Sequence, residues 1–133
     1  MDRLFLDANV LFSAAHRPDA RLLRFWKLKR IALCSSRYAI EEARINLPHQ
    51  EQQARLITLS GLIYRFEAGS GPLPHGISLL EKDAPILLAA IAADATHLLT
   101  GDVRHFGPHF GKTIGGIAIL LPGDYLRLRA RET

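Results

Sequence analysis

Short apolar runs alternate with amphipathic stretches along most of this chain. Leu4-Phe5-Leu6 reads as a buried strand ending at Asp7, and residues 9–15 follow as the start of a helix. In residues 20–29, Leu22, Leu23, Trp26 and Leu28 alternate with Arg21, Arg24, Lys27 and Lys29 at helical spacing, which predicts an amphipathic helix. Residues 31–34 predict a second strand. Ser35 or Ser36 is placed to cap the next helix, which runs to about Leu47 and stops before Pro48. A polar helix over residues 49–59 and a third strand over residues 62–66 come next. Residues 69–74, rich in glycine and proline, form a loop.

Asp83 then opens a helix with Pro85 in its first turn. It runs to about Asp94 and is apolar on nearly every face, so it is expected to be buried. Residues 97–100 predict a fourth strand leading into Gly101-Asp102, and residues 107–111 read as irregular. Residues 114–121 predict a fifth strand, interrupted by Gly115-Gly116, and Pro122 opens a basic terminal helix holding Arg127, Arg129 and Arg131. Strands and helices in this alternation specify a three-layer α/β/α sandwich around a mainly parallel sheet of four to five strands. No repeat, low-complexity stretch or linker divides residues 1–133, so one domain is expected.

Composition narrows the possibilities. Hydrophobic residues make up 48% and charged residues 23%, the balance of a folded chain rather than a disordered one. Cys34 is the single cysteine, which excludes an internal disulfide and a zinc site built from several thiolates. The N-terminal residues lack the pattern of a secretory signal, and the longest apolar stretch, residues 84–93, is too short to span a bilayer. A soluble, cytoplasmic protein with no membrane partner is expected. The net charge of +4 suits a polyanionic partner without demanding one.

The candidate chemistry is acidic. In an open parallel sheet, ligands gather at the carboxyl ends of the strands. Asp7 follows the first strand and Asp102 the fourth, so both are expected on one edge. Asp83 begins the helix feeding the fourth strand, and Glu41 and Glu42 lie on the helix after the second. Asp7 and Asp83 also suit helix caps, and Asp102 suits a turn. Carboxylates crowded together repel one another, which makes sense only around a cation. A donor set made of oxygens alone selects a hard ion such as Mg²⁺ or Mn²⁺. His105 and His109 are four apart, but Gly107-Pro108 between them breaks the helix that a two-histidine metal motif needs. Asp7-Ala8-Asn9 lacks the second carboxylate of an Asp-x-Asp phosphatase motif, which disfavours phosphoryl transfer through Asp7.

The same residues resemble a known family. Residues 6–11, Leu-Asp-Ala-Asn-Val-Leu, look like the opening motif of PIN domains, the fold of many VapC-type toxin ribonucleases. Residues 40–44, Ile-Glu-Glu-Ala-Arg, are similar to the family's glutamate-bearing helix, and Glu42 matches best. Asp83 with its alanine-rich helix matches the third acidic position, and residues 98–102 with Phe106 match the fourth. Gly115-Gly116-Ile117 and residues 122–126 are similar to the closing strand and helix.

The resemblance implies a PIN-like fold and a ribonuclease dependent on Mg²⁺ or Mn²⁺, with Asp7, Glu42, Asp83 and Asp102 as its catalytic metal ligands. Asn9 and Thr100 are expected beside them, orienting ligands or water. Arg44, Arg104 and His105 are the basic candidates for contacting RNA. The family also implies a homodimer and, for a toxin, an antitoxin protein as partner. The alternative from another class is a catalytically silent module of the same fold that binds RNA or a partner.

Overall fold

The computed structural model of the chain describes residues 1–67, 72–74, 77, 79, 83–102 and 106–131. Among them are six strands: β1 (Asp2–Leu6), β2 (Ile31–Ser35), β3 (Tyr64–Arg65), β4 (His97–Leu99), β5 (Thr113–Ile114) and β6 (Ile117–Leu120). The helices are α1 (Ala8–His16), α2 (Arg37–Asn46), α3 (Gln50–Ser60), α4 (Ala84–Ala92) and α5 (Pro122–Arg131). The strands form one sheet in the order β3-β2-β1-β4-β6-β5, parallel throughout except for β5 against β6. Leu4, Phe5 and Leu6 are all fully buried. Successive strand residues point to opposite faces, so both faces of the sheet are covered at β1. This is the mainly parallel α/β fold expected from the sequence.

Two elements differ in detail. The stretch predicted as a single interrupted fifth strand is two strands, β5 and β6, joined as a hairpin, which gives six strands rather than four or five. Gly115 and Gly116 have φ of 56° and 83°, the pair of positive values that a tight two-residue hairpin turn needs and glycine supplies without strain. The segment read as an amphipathic helix is a 3-10 helix over Arg21–Lys27. Leu22, Phe25 and Leu28 recur every third residue, which matches the 3-10 repeat. Phe25 is fully buried, and Leu22 and Leu28 pack against the core.

The remaining packing follows the apolar pattern. The α4 helix, Ala84–Ala92, buries Ile86, Leu87, Ala89 and Ala90. The Trp26 indole N–H donates to the Leu59 carbonyl at 3.1 Å, so this ring ties the 3-10 segment to the end of α3. Cys34 is buried in β2, and burial pushes its thiol up to about 11, which makes it an unreactive core side chain. Among the described residues, no helix is long and apolar enough to cross a membrane.

Candidate active site

β1 and β4 are adjacent and parallel, with Leu6 opposite Leu99. The next residue on each, Asp7 and Thr100, therefore emerges at the same carboxyl edge. The chain leaves β1 for β2 on one side, while β4 lies on the other. That is the switch point at which an open α/β sheet leaves a crevice.

Asp7 is only 5% exposed. Its carboxylate accepts from the Ala8 N–H at 2.6 Å, the Thr100 hydroxyl at 2.7 Å and, at longer range, the Asn9 amide at 3.4 Å. The Asn9 amide also donates to Thr100 Oγ1 at 3.2 Å, and its carbonyl oxygen accepts the Gly101 N–H at 2.7 Å. Thr100 Oγ1 accepts the Asp102 N–H at 3.1 Å. A Cβ at position 101 would stand 3.3 Å from the Asn9 oxygen, so a side chain there would press on the Asn9 amide. Asp7, Asn9, Thr100 and the backbone at 101–102 thus form one network linking the ends of β1 and β4.

The other wall comes from α2 and α4. Ser36 caps α2 by accepting the Ala39 N–H at 3.1 Å. Ala39 and Ala43 are the buried residues of α2, and Glu42 sits beside Ala43. Asp83 occupies the cap position of α4, yet its side chain makes no capping hydrogen bond. It is buried instead at the cleft. Asp7, Glu42, Asp83 and Asp102 all line one cavity of about 440 Å³, together with Asn9 and Asn46 and with Phe12 as an apolar wall. No basic side chain of the described residues lines it.

This placement has an electrostatic cost. Burial pushes the Asp7 carboxyl up to about 6. The hydrogen bonds from Thr100 and Ala8 oppose that rise, and the charges of Glu42 and Asp83 add to it. The donor set is four carboxylates and two carboxamides, the oxygen chemistry of a hard divalent ion. Among the described residues, no three His, Cys, Asp or Glu side chains stand close enough to grip an ion as they are. The residues fit such an ion by chemistry and location.

The residues singled out from the sequence separate clearly. Asp7, Asn9, Glu42, Asp83 and Asp102 share the cleft, and Thr100 is bonded to Asp7 beneath it. Glu41 points elsewhere. It is exposed and forms an ion pair with Arg44, three residues on, whose hydrogen bond holds its carboxyl below the usual range. Arg44, expected to contact substrate, is therefore engaged at the surface and does not line the cleft. Arg104 and His105 lie outside the described residues.

Two cleft-side residues went unread in the sequence. Asn46 and Tyr38 lie four residues after and four before Glu42, so helical spacing was the available signal. The Tyr38 phenol is held above its ordinary range by partial burial and by the charges of Glu42, Asp83 and Asp7.

The fold is the PIN-like α/β fold expected from the sequence. A chain of VapBC2 from Rickettsia felis, solved bound to a DNA fragment from their promoter, is similar over 88% of this chain and 96% of its own, with a TM-score of 0.65 and 16% identity. FitAB bound to an IR36 DNA fragment matches over 90% of this chain and 94% of its own, at a TM-score of 0.53 and 20% identity. FitAcB from Neisseria gonorrhoeae matches over 90% and 98%, at 0.52 and 19%. No family model matches the sequence, and no curated protein matches it either.

Proposed function

We propose that this chain is a divalent-metal-dependent endoribonuclease whose metal is held by Asp7, Glu42, Asp83 and Asp102. The observation that carries the reading is the gathering of four acids, from β1, α2, the start of α4 and the end of β4, into one cavity with no lining base among the described residues. Such a site repels a polyanion unless a cation is present. A Mg²⁺ or Mn²⁺ ion held there would supply a water acidic enough to act as nucleophile and would neutralise charge developing on the phosphodiester.

The chain's own residues do the positioning. The Ala8 N–H and Thr100 hydroxyl fix one rotamer of Asp7, and Asn9 ties that carboxylate to the loop at Gly101. Phe12 and the alanines beside it give the cleft an apolar wall, which strengthens the electrostatics inside.

The likeness to VapBC2 and FitAB, both solved on DNA, supports a toxin of a toxin–antitoxin pair, held by an antitoxin protein; a homodimer belongs to the same proposal. A short DNA-binding protein encoded next to this one, co-purifying with it, is the partner to look for. The activity is tested by incubating the purified chain with RNA and with DNA, in Mg²⁺, in Mn²⁺ and in chelator. Cleavage of RNA that stops in chelator is expected. RNA binding without cleavage under any metal would overturn the enzyme and leave the silent RNA-binding module.

A further inference from the structure

We propose that the exposed face of α2 beside the acid cleft is a nucleobase subsite, in which the Tyr38 ring stacks on one unpaired base of the RNA whose backbone crosses the acids. The inference rests on the reading of that cleft as a site of RNA cleavage. A second cavity, about 770 Å³, is lined by Arg37, Tyr38, Glu41, Glu42, Ile45 and Glu67. Glu42 lines both cavities, so the two adjoin at that residue.

Tyr38, Glu41, Glu42 and Ile45 follow the i, i+3, i+4, i+7 spacing of a single helix face. Large apolar side chains at such spacing ordinarily face a core. Here Tyr38 is 40% exposed and Ile45 65% exposed. One exposed apolar side chain needs no explanation, but two on one face, both lining a hollow that adjoins a polar cleft, form a surface built to be covered. Tyr38 precedes Glu42 by four residues, about 6 Å along the helix axis. That is the reach of a single nucleotide, so a base on Tyr38 belongs to a residue next to the phosphate at the acids.

The hollow offers a base an aromatic ring and a carboxylate, while Arg37 on the same lining suits the adjoining phosphate. An aromatic ring stacks on the face of any base, and single-stranded RNA is commonly held this way. Ile45 supplies an apolar flank. Glu41 is taken up by its ion pair with Arg44, which leaves the Glu67 carboxylate, an acceptor only, to complement N–H groups on a base edge. Guanine, with adjacent imino and amino donors on its pairing edge, fits best. Uracil, with one N–H between two carbonyls, fits worst.

The test is binding of short labelled single-stranded RNAs by the Asp7→Asn chain in Ca²⁺, followed by fluorescence anisotropy, in four forms: Tyr38 intact, Tyr38→Phe, Tyr38→Leu and Tyr38→Ala. The expected loss is about tenfold or more for Tyr38→Ala and Tyr38→Leu, the size of one lost stack, with Tyr38→Phe within about twofold of the parent. Tyr38→Leu keeps the apolar bulk, so a loss shared with Tyr38→Ala reports stacking rather than misfolding. One abasic position in the RNA should cost nothing further once Tyr38 is Ala, and affinity should favour guanine there over uracil. Wild-type-like binding by Tyr38→Ala, or abasic losses that add to it at every position, would overturn the subsite alone. No RNA binding by the Asp7→Asn parent would overturn the reading of the cleft as well.

Discussion

At the scale of single residues, Asp7 carries most of the electrostatic cost of the site. Its carboxyl titrates near 6 in the folded chain against 3.8 when free, because burial disfavours the charge. A raised carboxyl pKa means that ionisation costs the folded state stability above pH 6, that the cost shrinks as pH falls, and that it vanishes below the free value. In chelator, Asp7→Asn is therefore expected to stabilise the protein by about 3 kcal/mol at pH 8, with the difference from wild type closing toward pH 4. Denaturant melts of both proteins across pH measure it; an Asp7→Asn protein less stable than wild type at pH 8 would contradict the assignment. The asparagine can still accept the Ala8 N–H, so the cap need not be lost. Glu41 and Glu42 offer a sharper contrast, since adjacent side chains diverge by about 100° around a helix. Glu42→Gln is expected to abolish most RNA cleavage, while Glu41→Gln removes only a solvent-screened surface ion pair and leaves the rate near wild type. Equal losses in the two variants, measured as initial rates, would remove Glu42 from the ligand set.

At the scale of elements, the legible parts of the sequence were those where local pattern and final environment agree. Asp7 and Asp102 could be placed on one edge because a parallel sheet brings every strand's carboxyl end to the same side. The all-apolar α4 announced its burial in the same way. The 3-10 segment was harder, because Leu22, Leu23, Trp26 and Leu28 fit a helical repeat as well, and only the three-residue series through Phe25 separates the two. Tyr38 was legible only as a helical neighbour of Glu42, not as an exposed ring. A tyrosine at helical spacing reads as core, and its exposure depends on which neighbours α2 finally meets. The Gly115-Gly116 turn is another case, since the glycines marked an interruption without saying that the chain reverses there. A Cβ at Gly116 meets no atom within 4 Å, so Gly116→Val isolates the backbone term. Forcing positive φ on a branched residue should destabilise the fold by roughly 1–2 kcal/mol. The site is built from other elements, so the single-turnover cleavage rate of the folded fraction should stay at wild type. A lower rate with unchanged stability would mean that the hairpin reaches the substrate.

At the scale of the whole molecule, a basic chain holds an acidic cleft. The net charge of +4 already includes the four acids, so the remaining surface is more positive than the total suggests. Phosphates held by that surface release counterions, and RNA affinity of the Asp7→Asn chain in Ca²⁺ is expected to fall as salt rises. A flat response in a salt titration would shift the case from RNA toward a protein partner. The divalent ion is what reconciles the acids with a polyanionic substrate, and one measurement tests that directly. Single-turnover RNA cleavage is compared for wild type, Asp7→Asn, Glu42→Gln, Asp83→Asn and Asp102→Asn, in saturating Mn²⁺ and in chelator. Removing a group that only orients a metal ligand costs about 10–100-fold, so removing a ligand should cost about 100-fold or more. The expected result is cleavage by wild type in Mn²⁺ alone, with each folded variant slowed to that extent. Undiminished cleavage by wild type in chelator, or by the four variants in Mn²⁺, would contradict it.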